Sequence, residues 1–138
     1  MDKIKILEKL NALTKDTLME LLEIQYVDVK EDYLVATMPV NKRVHQPMGL
    51  LHGGASVALA ESVASTASYL FIDRDKFEVR GIEISANHLK SKRDGIVTAT
   101  ARIIHKGKRT HLWEIKITDE KGQLISLCKL TNIILSKK

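Results

Sequence analysis

One carboxylate stands out in the sequence as a candidate for chemistry. Between His52 and Ile72 the chain carries a single charged side chain, Glu61, within a segment of Ala, Leu, Val and Ser. Removing a carboxylate from water costs several kcal/mol unless it is paired, so such a group is suited to accept a proton or to attack as a nucleophile. Two structural interpretations stay open: Glu61 pairs with a basic residue across an interface, or it reaches solvent at a helix edge.

A second group of candidates lies just upstream, where the same segment begins. Gln46, His52, Gly53 and Gly54 stand close together in the sequence. The first N–H groups of a helix lack internal partners and lie at the positive end of its dipole, so they stabilise an oxyanion. Glycine lets a substrate carbonyl approach the backbone, and Gln46 and His52 can each donate a hydrogen bond to the same oxygen. A solvated loop Gln, a structural His and a glycine turn are the ordinary alternatives.

The spacing of these groups indicates a second subunit. Gly53 and Glu61 are separated by roughly 12 Å along one helix, at ~1.5 Å per residue. One carbonyl group cannot easily contact both, so we expect Glu61 to come from a second copy of the helix, related by a two-fold axis. Ser65 shares the helix face of Glu61 and is expected to orient the carboxylate or to hold a water. The alternative is that Ser65 is a small residue that permits close helix packing.

Hydrophobic periodicity predicts the elements that position these residues. Leu7, Leu10 and Leu13 recur at helical spacing and predict a short amphipathic helix at the N-terminus. The segment from Gly53 to Ile72 is apolar or small on nearly every face, which predicts a long helix buried all round. Residues 17–22 fit either a helical turn or the entry to a strand. Extended runs are predicted at 24–29, 33–40, 79–89, 96–105, 109–118 and 123–135.

Short turns between these extended runs imply an antiparallel sheet, whose apolar face the long helix must cover. In the run 79–89, alternation predicts that Ile82, Ile84 and Ala86 share one face. In the run 109–118, the shared face consists of His111, Trp113, Ile115 and Ile117.

Composition limits the class of protein. The chain has 138 residues, 44% of them hydrophobic and 28% charged, which predicts one globular domain over 1–138. The single Cys128 excludes an internal disulfide, and the charged N-terminus lacks the features of a signal peptide, so we expect a cytoplasmic protein. The central Glu61 argues against a membrane span for the long apolar segment.

Other classes of site find no support in the sequence. The five histidines lack metal-binding spacing and no phosphate-binding glycine motif is present, so we expect no metal and no nucleotide cofactor. The net charge of +5 would suit nucleic acid, but aromatic residues at 4% provide no evident stacking platform. The basic residues gather at two strand ends and predict either a phosphate cradle or a merely soluble surface: Lys90, Lys92 and Arg93, and Lys106, Lys108 and Arg109.

The run from His45 to Ser62, HQPMGLLHGGASVALAES, closely resembles the signature of PaaI-like hotdog-fold acyl-CoA thioesterases. It is most similar to the branch that contains the dihydroxynaphthoyl-CoA hydrolase of menaquinone synthesis and the enterobactin-pathway proofreading thioesterase. The segments 36–40, 81–88 and 113–115 also resemble that branch, so the likeness covers nearly the whole chain.

The resemblance implies an α+β hotdog fold, an antiparallel sheet wrapped around one long helix, assembled as a homodimer with shared active sites and commonly as a tetramer. It implies hydrolysis of acyl-CoA thioesters without a further cofactor, with aromatic or medium-chain acyl groups favoured. Glu61 would be the nucleophile or general base, Gly53 the oxyanion donor, Gln46 and His52 the side chains around the carbonyl, and Ser65 the partner in a later hydrolytic step. Coenzyme A would contact Gly81, His88, Leu89, Lys90, Ser91, Lys106, Gly107, Lys108, Arg109, Thr110 and His111.

Two other functions fit the same fold. One is a dehydratase or hydratase that keeps the thioester and moves water across a double bond. The other is an acyl-CoA binding protein without catalysis, against which the intact set of Gln46, His52 and Glu61 argues.

Overall fold

The computed structural model describes residues 2–138, which form one six-stranded antiparallel sheet and one long helix. The spatial order of the strands is β1-β2-β4-β5-β6-β3, and each neighbouring pair is antiparallel. The α+β architecture predicted from the sequence is confirmed. The elements are α1 (Lys3–Ala12), α2 (Leu18–Leu21), β1 (Gln25–Val29), β2 (Tyr33–Val40), a 3₁₀ turn (Lys42–Val44), α3 (Gly53–Phe71), β3 (Phe77–His88), β4 (Gly95–Lys106), β5 (Thr110–Thr118) and β6 (Leu124–Ser136).

The long helix α3 buries one face against strands β2 to β6. That face consists of Leu59, Ala60, Val63, Ala64 and Ala67, all nearly inaccessible to solvent. The prediction that α3 is buried all round is wrong for the single chain, because one sheet covers only one side of the helix. The uncovered stripe is half-buried or exposed and carries Gly54, Val57, Ala58, Glu61, Ser62, Ser65 and Tyr69.

The core is aliphatic and lies between α3 and the sheet. Alternation in β2 buries every second residue, and in β5 it buries the face that the sequence predicts, including Trp113 and His111. Period-two burial is expected for strands with only one covered face. The largest fully buried side chains are Trp113, Leu34, Met38, Leu59, Ile115, Ile117 and Leu130.

Strand β3 lies at an edge of the sheet and departs from the predicted alternation. The ladder between β3 and β6 shifts register between Gly81 and Glu83. This bulge turns Ile82 outward, where 58% of it is exposed, while Ile84 and Ala86 stay partly buried against the core. The shared face predicted for Ile82, Ile84 and Ala86 is therefore wrong at Ile82, because a bulge changes the side on which the following residue lies.

The N-terminal segment is helical, which resolves the open alternative at residues 17–22. Thr17 caps α2 by accepting a hydrogen bond from the Met19 N–H. Asn11 attaches α1 to the sheet, since its side chain pairs with both the N–H and the carbonyl of Tyr26. Within residues 2–138, no helix combines the length and apolar character required to cross a bilayer.

Candidate active site

The N-terminus of α3 opens into a pocket of about 310 Å³, which we call the helix-tip pocket. Four parts of the chain meet there: the loop before α3, the first turn of α3, the end of β3 with the loop that follows it, and the start of β6. The pocket therefore brings Gln46 and Gly53 together with His88, as the sequence motif predicts for the first two. Its lining consists of Gln46, Leu50, Leu51, Gly53, Ser56, His88, Leu89, Lys90, Ser91, Ile125 and Ser126.

His52 is the N-cap of α3, and its cap bond fixes its tautomer. The ring Nδ1 accepts a hydrogen bond of 2.8 Å from the Gly54 N–H. A neutral imidazole that accepts at Nδ1 carries its proton on Nε2, so the free nitrogen of His52 is a donor. The Gly53 N–H has no acceptor among residues 2–138. Two donors are thus available at the start of α3, but only the Gly53 backbone lines the helix-tip pocket, and the His52 side chain does not.

Gln46 presents its amide nitrogen as a third donor. Its side-chain oxygen accepts a hydrogen bond of 2.5 Å from the Met48 N–H. With the oxygen engaged, the NH₂ group is the end that remains free for a ligand. All three groups therefore donate and none accepts, which suits a site for a carbonyl oxygen that gains negative charge.

His88 packs directly on the glycine at the helix tip. Its Nδ1 lies 2.8 Å from the Ser126 hydroxyl, and a methyl group on Gly53 would stand 2.7 Å from its Nε2. Position 53 therefore has no room for a side chain while His88 keeps this position. The sequence assigned His88 to coenzyme A alone, whereas the structure places it beside the expected oxyanion donor.

Glu61 and Ser65 lie in a different cavity on the uncovered stripe of α3. This outer groove of about 900 Å³ runs between α3, the N-terminal helices and the start of β3. Glu61 forms no salt bridge with the side chains of residues 2–138. The lining is mostly apolar and includes Leu10, Leu13, Leu18, Tyr26, Val57, Glu61, Ser62, Ser65, Tyr69 and Val79.

The Glu61 carboxylate rests against the backbone of β3. A methyl group on Gly81 would stand 2.6 Å from Glu61 Oε2, so only glycine permits this approach. The family resemblance assigns Gly81 to coenzyme A, which stays a prediction, and in this structure Gly81 lies under the carboxylate. Burial raises the pKa of the Tyr26 phenol in the same groove, and its hydroxyl lies 2.8 Å from the Thr66 hydroxyl.

A buried polar cluster lies behind Ser65, and the sequence motif does not reveal it. The Ser68 hydroxyl lies 2.8 Å from His111 Nδ1, 2.7 Å from Trp113 Nε1 and 2.8 Å from Asn132 Nδ2. Asn132 Oδ1 faces the Ser65 hydroxyl at 3.4 Å. The signal that could have revealed this cluster is Asn132 itself, an amide at a core-facing position between Leu130 and a run of apolar residues.

Among the predicted coenzyme A contacts, which stay predictions, His111 is buried in the single chain. It is 3% exposed and held by Ser68, so a ligand at the surface of this chain has no access to it. Alternation in β5 turns this side chain inward, toward α3. Burial is the main reason that the pKa of His111 lies below its usual 6.5, and the charges of Lys106 and His105 add to the effect.

The remaining predicted coenzyme A residues form two groups. His88, Leu89, Lys90 and Ser91 line the helix-tip pocket, whereas Lys106, Gly107, Lys108, Arg109 and Thr110 form the turn between β4 and β5. In the sheet, β6 lies between β5 and β3, and Asn132 of β6 pairs with both His111 and Gly81, so the turn lies level with Gly81. His88 is seven residues further along β3, which places the two groups on the order of 23 Å apart at ~3.3 Å per strand residue.

Carboxylates already engage part of the positive charge near the helix tip. Lys90 pairs with Asp119 at 3.5 Å, and Lys92 pairs with Glu120. The hydrogen bond from Lys92 is the main cause that lowers the pKa of Glu120 to about 2. By contrast, Lys108 and Arg109 are exposed and form no salt bridge within the described chain. The second group is therefore freer to meet phosphate.

No group of three or more potential ligands within residues 2–138 is arranged to hold a metal ion. Cys128 lies in the core beneath the sheet, where burial raises the pKa of its thiol to about 11. Its thiol is therefore poorly suited to nucleophilic chemistry at neutral pH.

The sheet wrapped on α3, with unpaired donors at the helix tip and a carboxylate on the same helix, defines a hotdog-fold protein with an acyl-transfer type of site. A family model described as the thioesterase superfamily matches residues 48–126. The chain belongs to this superfamily and is a thioester hydrolase.

Relatives and solved structures extend the match to nearly the full chain. The 1,4-dihydroxy-2-naphthoyl-CoA hydrolase of Escherichia coli K12 is 46% identical over 129 residues, covering 94% of this chain and 94% of that protein. The proofreading thioesterase EntH of Cronobacter turicensis is 46% identical over 129 residues, covering 94% and 93%. A crystal structure of a mutant thioesterase from Pseudomonas aeruginosa superposes with a TM-score of 0.93 at 45% identity, covering 95% and 94%.

Proposed function

We propose that the protein hydrolyses acyl-CoA thioesters to a free acid and coenzyme A in active sites shared between two copies of the chain. The observation that carries this proposal is the separation of Glu61 from the helix-tip donors. Within one chain they open into different cavities, roughly 12 Å apart along α3 at ~1.5 Å per residue. A two-fold axis that places two α3 helices antiparallel and side by side brings each Glu61 to the helix tip of the partner.

The helix-tip pocket supplies the oxyanion site in this mechanism. The Gly53 N–H polarises the thioester carbonyl, with the Gln46 amide and His52 Nε2 in support. These donors are held before substrate binds, by the cap bond of His52 and the Met48 bond of Gln46. Donors fixed in advance need no reorganisation when negative charge develops on the oxygen, which makes this kind of stabilisation effective.

Glu61 supplies the second function, by one of two routes. As a general base it takes a proton from water while the water oxygen bonds to the carbonyl carbon and the C–S bond breaks. As a nucleophile it bonds to that carbon itself and expels the thiolate, and water then hydrolyses the anhydride. Both routes consume one water and release an acid and a thiol.

The uncovered surfaces of the chain support a homodimer. β3 is twelve residues long, and among residues 2–138 no strand lies beside its outer edge, an arrangement that proteins normally avoid by covering the edge. The adjacent stripe of α3 is uncovered as well. A second copy paired along β3 covers both surfaces at once. Further association of two dimers into a tetramer stays a prediction.

The outer groove is the candidate acyl site. Its leucines and Tyr26 favour an apolar group, and its volume admits an aromatic ring or a medium-length chain. The names of the relatives, a dihydroxynaphthoyl-CoA hydrolase among them, agree with an aromatic acyl group. Phosphates of coenzyme A would meet Lys108 and Arg109 on one side and the residues around His88 on the other.

Release of free thiol from a panel of aromatic, branched and straight-chain acyl-CoAs tests this function. Glu61→Gln should reduce kcat by ~10²–10⁴-fold, the usual contribution of a general base, without loss of folding. Glu83→Gln, which removes an exposed carboxylate next to the bulge, is the matched control and should retain activity. An enzyme that hydrates enoyl-CoA without releasing thiol would instead be a hydratase.

Mixing two inactive variants tests whether the site is shared. One carries Glu61→Gln and the other carries Gln46→Ala with His52→Ala. After unfolding and refolding together, half the dimers are mixed, and each mixed dimer has one intact site, so about a quarter of wild-type activity returns. If each chain contains a complete site, the mixture stays as inactive as its parents and the shared site is wrong.

A further inference from the structure

The polar cluster behind Ser65 has an unusual centre. Three nitrogen atoms surround the Ser68 hydroxyl within 2.8 Å, one each from His111, Trp113 and Asn132. Ser68, His111 and Asn132 are all buried, so their contacts with one another are made by protein groups and not by water. The hydrogens that lie between the Ser68 oxygen and these three nitrogen atoms must therefore each point to a partner within the cluster.

Counting donors and acceptors assigns those hydrogens. Indole Nε1 and amide Nδ2 can only donate, and they occupy the acceptor capacity of the Ser68 oxygen. The single proton of Ser68 then has one destination, His111 Nδ1. His111 is accordingly neutral, with its proton on Nε2. A protonated His111 would bring a third donor to an oxygen that accepts two.

The same counting fixes the orientation of Asn132. Its Nδ2 lies 3.3 Å from the Ala64 carbonyl as well as 2.8 Å from Ser68. A carbonyl oxygen only accepts, so the nitrogen of the amide must be on that side. The amide oxygen is left facing Ser65 at 3.4 Å. Since an amide oxygen only accepts, the Ser65 hydroxyl is the donor in this long contact with Asn132.

We propose that Asn132 is a positioning residue, which directs the Ser65 proton inward and so makes the Ser65 oxygen a hydrogen-bond acceptor toward the catalytic water. The proposal rests on the proposed hydrolysis and deepens it. Ser65 has no proton left for Glu61, four residues away on the same helix face. A water between the two can instead donate one hydrogen to the Glu61 carboxylate and the other to Ser65.

This arrangement leaves a lone pair of the water oxygen directed away from both acceptors and toward the thioester. When the water attacks, its oxygen bonds to the carbonyl carbon and the proton held by Glu61 leaves the water. The C–S bond breaks, and the departing sulfur takes up that proton as the thiol. Ser65 holds the other hydrogen throughout, and Asn132 never contacts the water.

A pair of substitutions tests this role. Leu at position 132 has nearly the volume of Asn but cannot donate or accept, and Ser68 retains Trp113 and His111. Ser65→Ala and Asn132→Leu should each lower kcat about tenfold, as expected for one lost hydrogen bond, with KM unchanged. Combined, they should fall no further than Ser65→Ala alone. Thr131→Val, an isosteric change at the adjacent position of β6, is the control and should retain kcat.

Several outcomes would overturn the proposal: unchanged kcat in Asn132→Leu, losses that multiply in the double variant, or an equal loss in Thr131→Val. Asn132→Ser provides a second variant if Leu does not fold, because it keeps a hydroxyl for the buried cluster and withdraws the acceptor from Ser65. A substrate-free crystal structure adds a readout that does not depend on activity. The Ser65 hydroxyl should turn away from position 132 in Asn132→Leu, and an unmoved hydroxyl contradicts the assignment even if wild-type hydrolysis is confirmed.

Discussion

Gly81→Ala tests whether the position of the Glu61 carboxylate controls the reaction. The added methyl group would stand 2.6 Å from Oε2, whereas ordinary contact begins at 3.4 Å, so the carboxylate must move by about 0.8 Å. Misplacement of a reacting group by ~1 Å costs on the order of 10²-fold in rate. We therefore expect kcat to fall by about that factor.

The same substitution should leave the fold intact, so a loss of kcat can be assigned to the moved carboxylate and not to a loss of folding stability. Gly81 lies in a strand with no positive φ, so alanine adopts its backbone conformation without strain. Glycine-to-alanine changes at compatible sites stabilise proteins by ~0.4–1 kcal/mol through the unfolded chain. The methyl group displaces only the far end of a flexible side chain. We expect a melting temperature equal to or above that of the wild type.

Thiol release under saturating acyl-CoA measures kcat, and thermal unfolding measures stability. Ser85→Ala on the same strand is the control, since Ser85 is exposed and distant from the carboxylate in register. Size-exclusion chromatography confirms that assembly is unchanged. Wild-type activity in a folded Gly81→Ala protein would refute the placement of Glu61 against β3 as a catalytic requirement.

Three other predictions follow from single contacts. His52→Asn keeps a cap acceptor for the Gly54 N–H but removes the Nε2 donor, so it should retain stability and lose activity about tenfold. His52→Ala removes the cap acceptor as well, so it should also lose ~1 kcal/mol of stability, measured by urea unfolding. Because the pKa of His111 lies below its unfolded value of 6.5, its contribution to stability is complete above that pH and is lost as pH falls below it. His111→Gln should therefore show a shallower decline of melting temperature with acidification, and equal slopes would count against this assignment. Cys128, at 1% exposure, should react with maleimide at pH 8 or below only after unfolding, and rapid labelling of the native protein would contradict its burial.

The fold was largely predictable because its signals are local. Alternating residues in β2 and β5 and the uninterrupted segment from Gly53 each report the burial of their own element. The exception at Ile82 is instructive. Alternation predicts side-chain direction only where the ladder of hydrogen bonds is unbroken. The bulge next to Gly81 arises from the pairing of β3 with β6, and the residue pattern of β3 alone does not reveal it.

The site was predictable only where its residues follow one another in the chain. Gln46, His52, Gly53 and Glu61 belong to one motif, and a helix start explains their chemistry without distant partners. Asn132 makes its hydrogen bonds to residues 64 to 68 positions earlier, so no local pattern connects it to Ser65. Likewise alternation in β5 predicts that His111 faces inward with Trp113, but its hydrogen bond to Ser68 joins residues 43 positions apart, and no local pattern predicts that contact.

In the proposed dimer, the division of the site between two cavities would link assembly to catalysis. In the single chain Glu61 is half-buried and open to water through the outer groove, which allows an unpaired carboxylate to be tolerated. In the proposed dimer, a second copy over that groove would exclude water and lower the local dielectric, so the attraction between developing charge and the helix-tip donors would strengthen. The same association would bring the partner's donors to the carboxylate. Under this arrangement a variant that blocks pairing along β3, such as Ile82→Asp, loses activity in proportion to its monomer fraction, although Ile82 lies on the exposed side of the strand, turned away from the core.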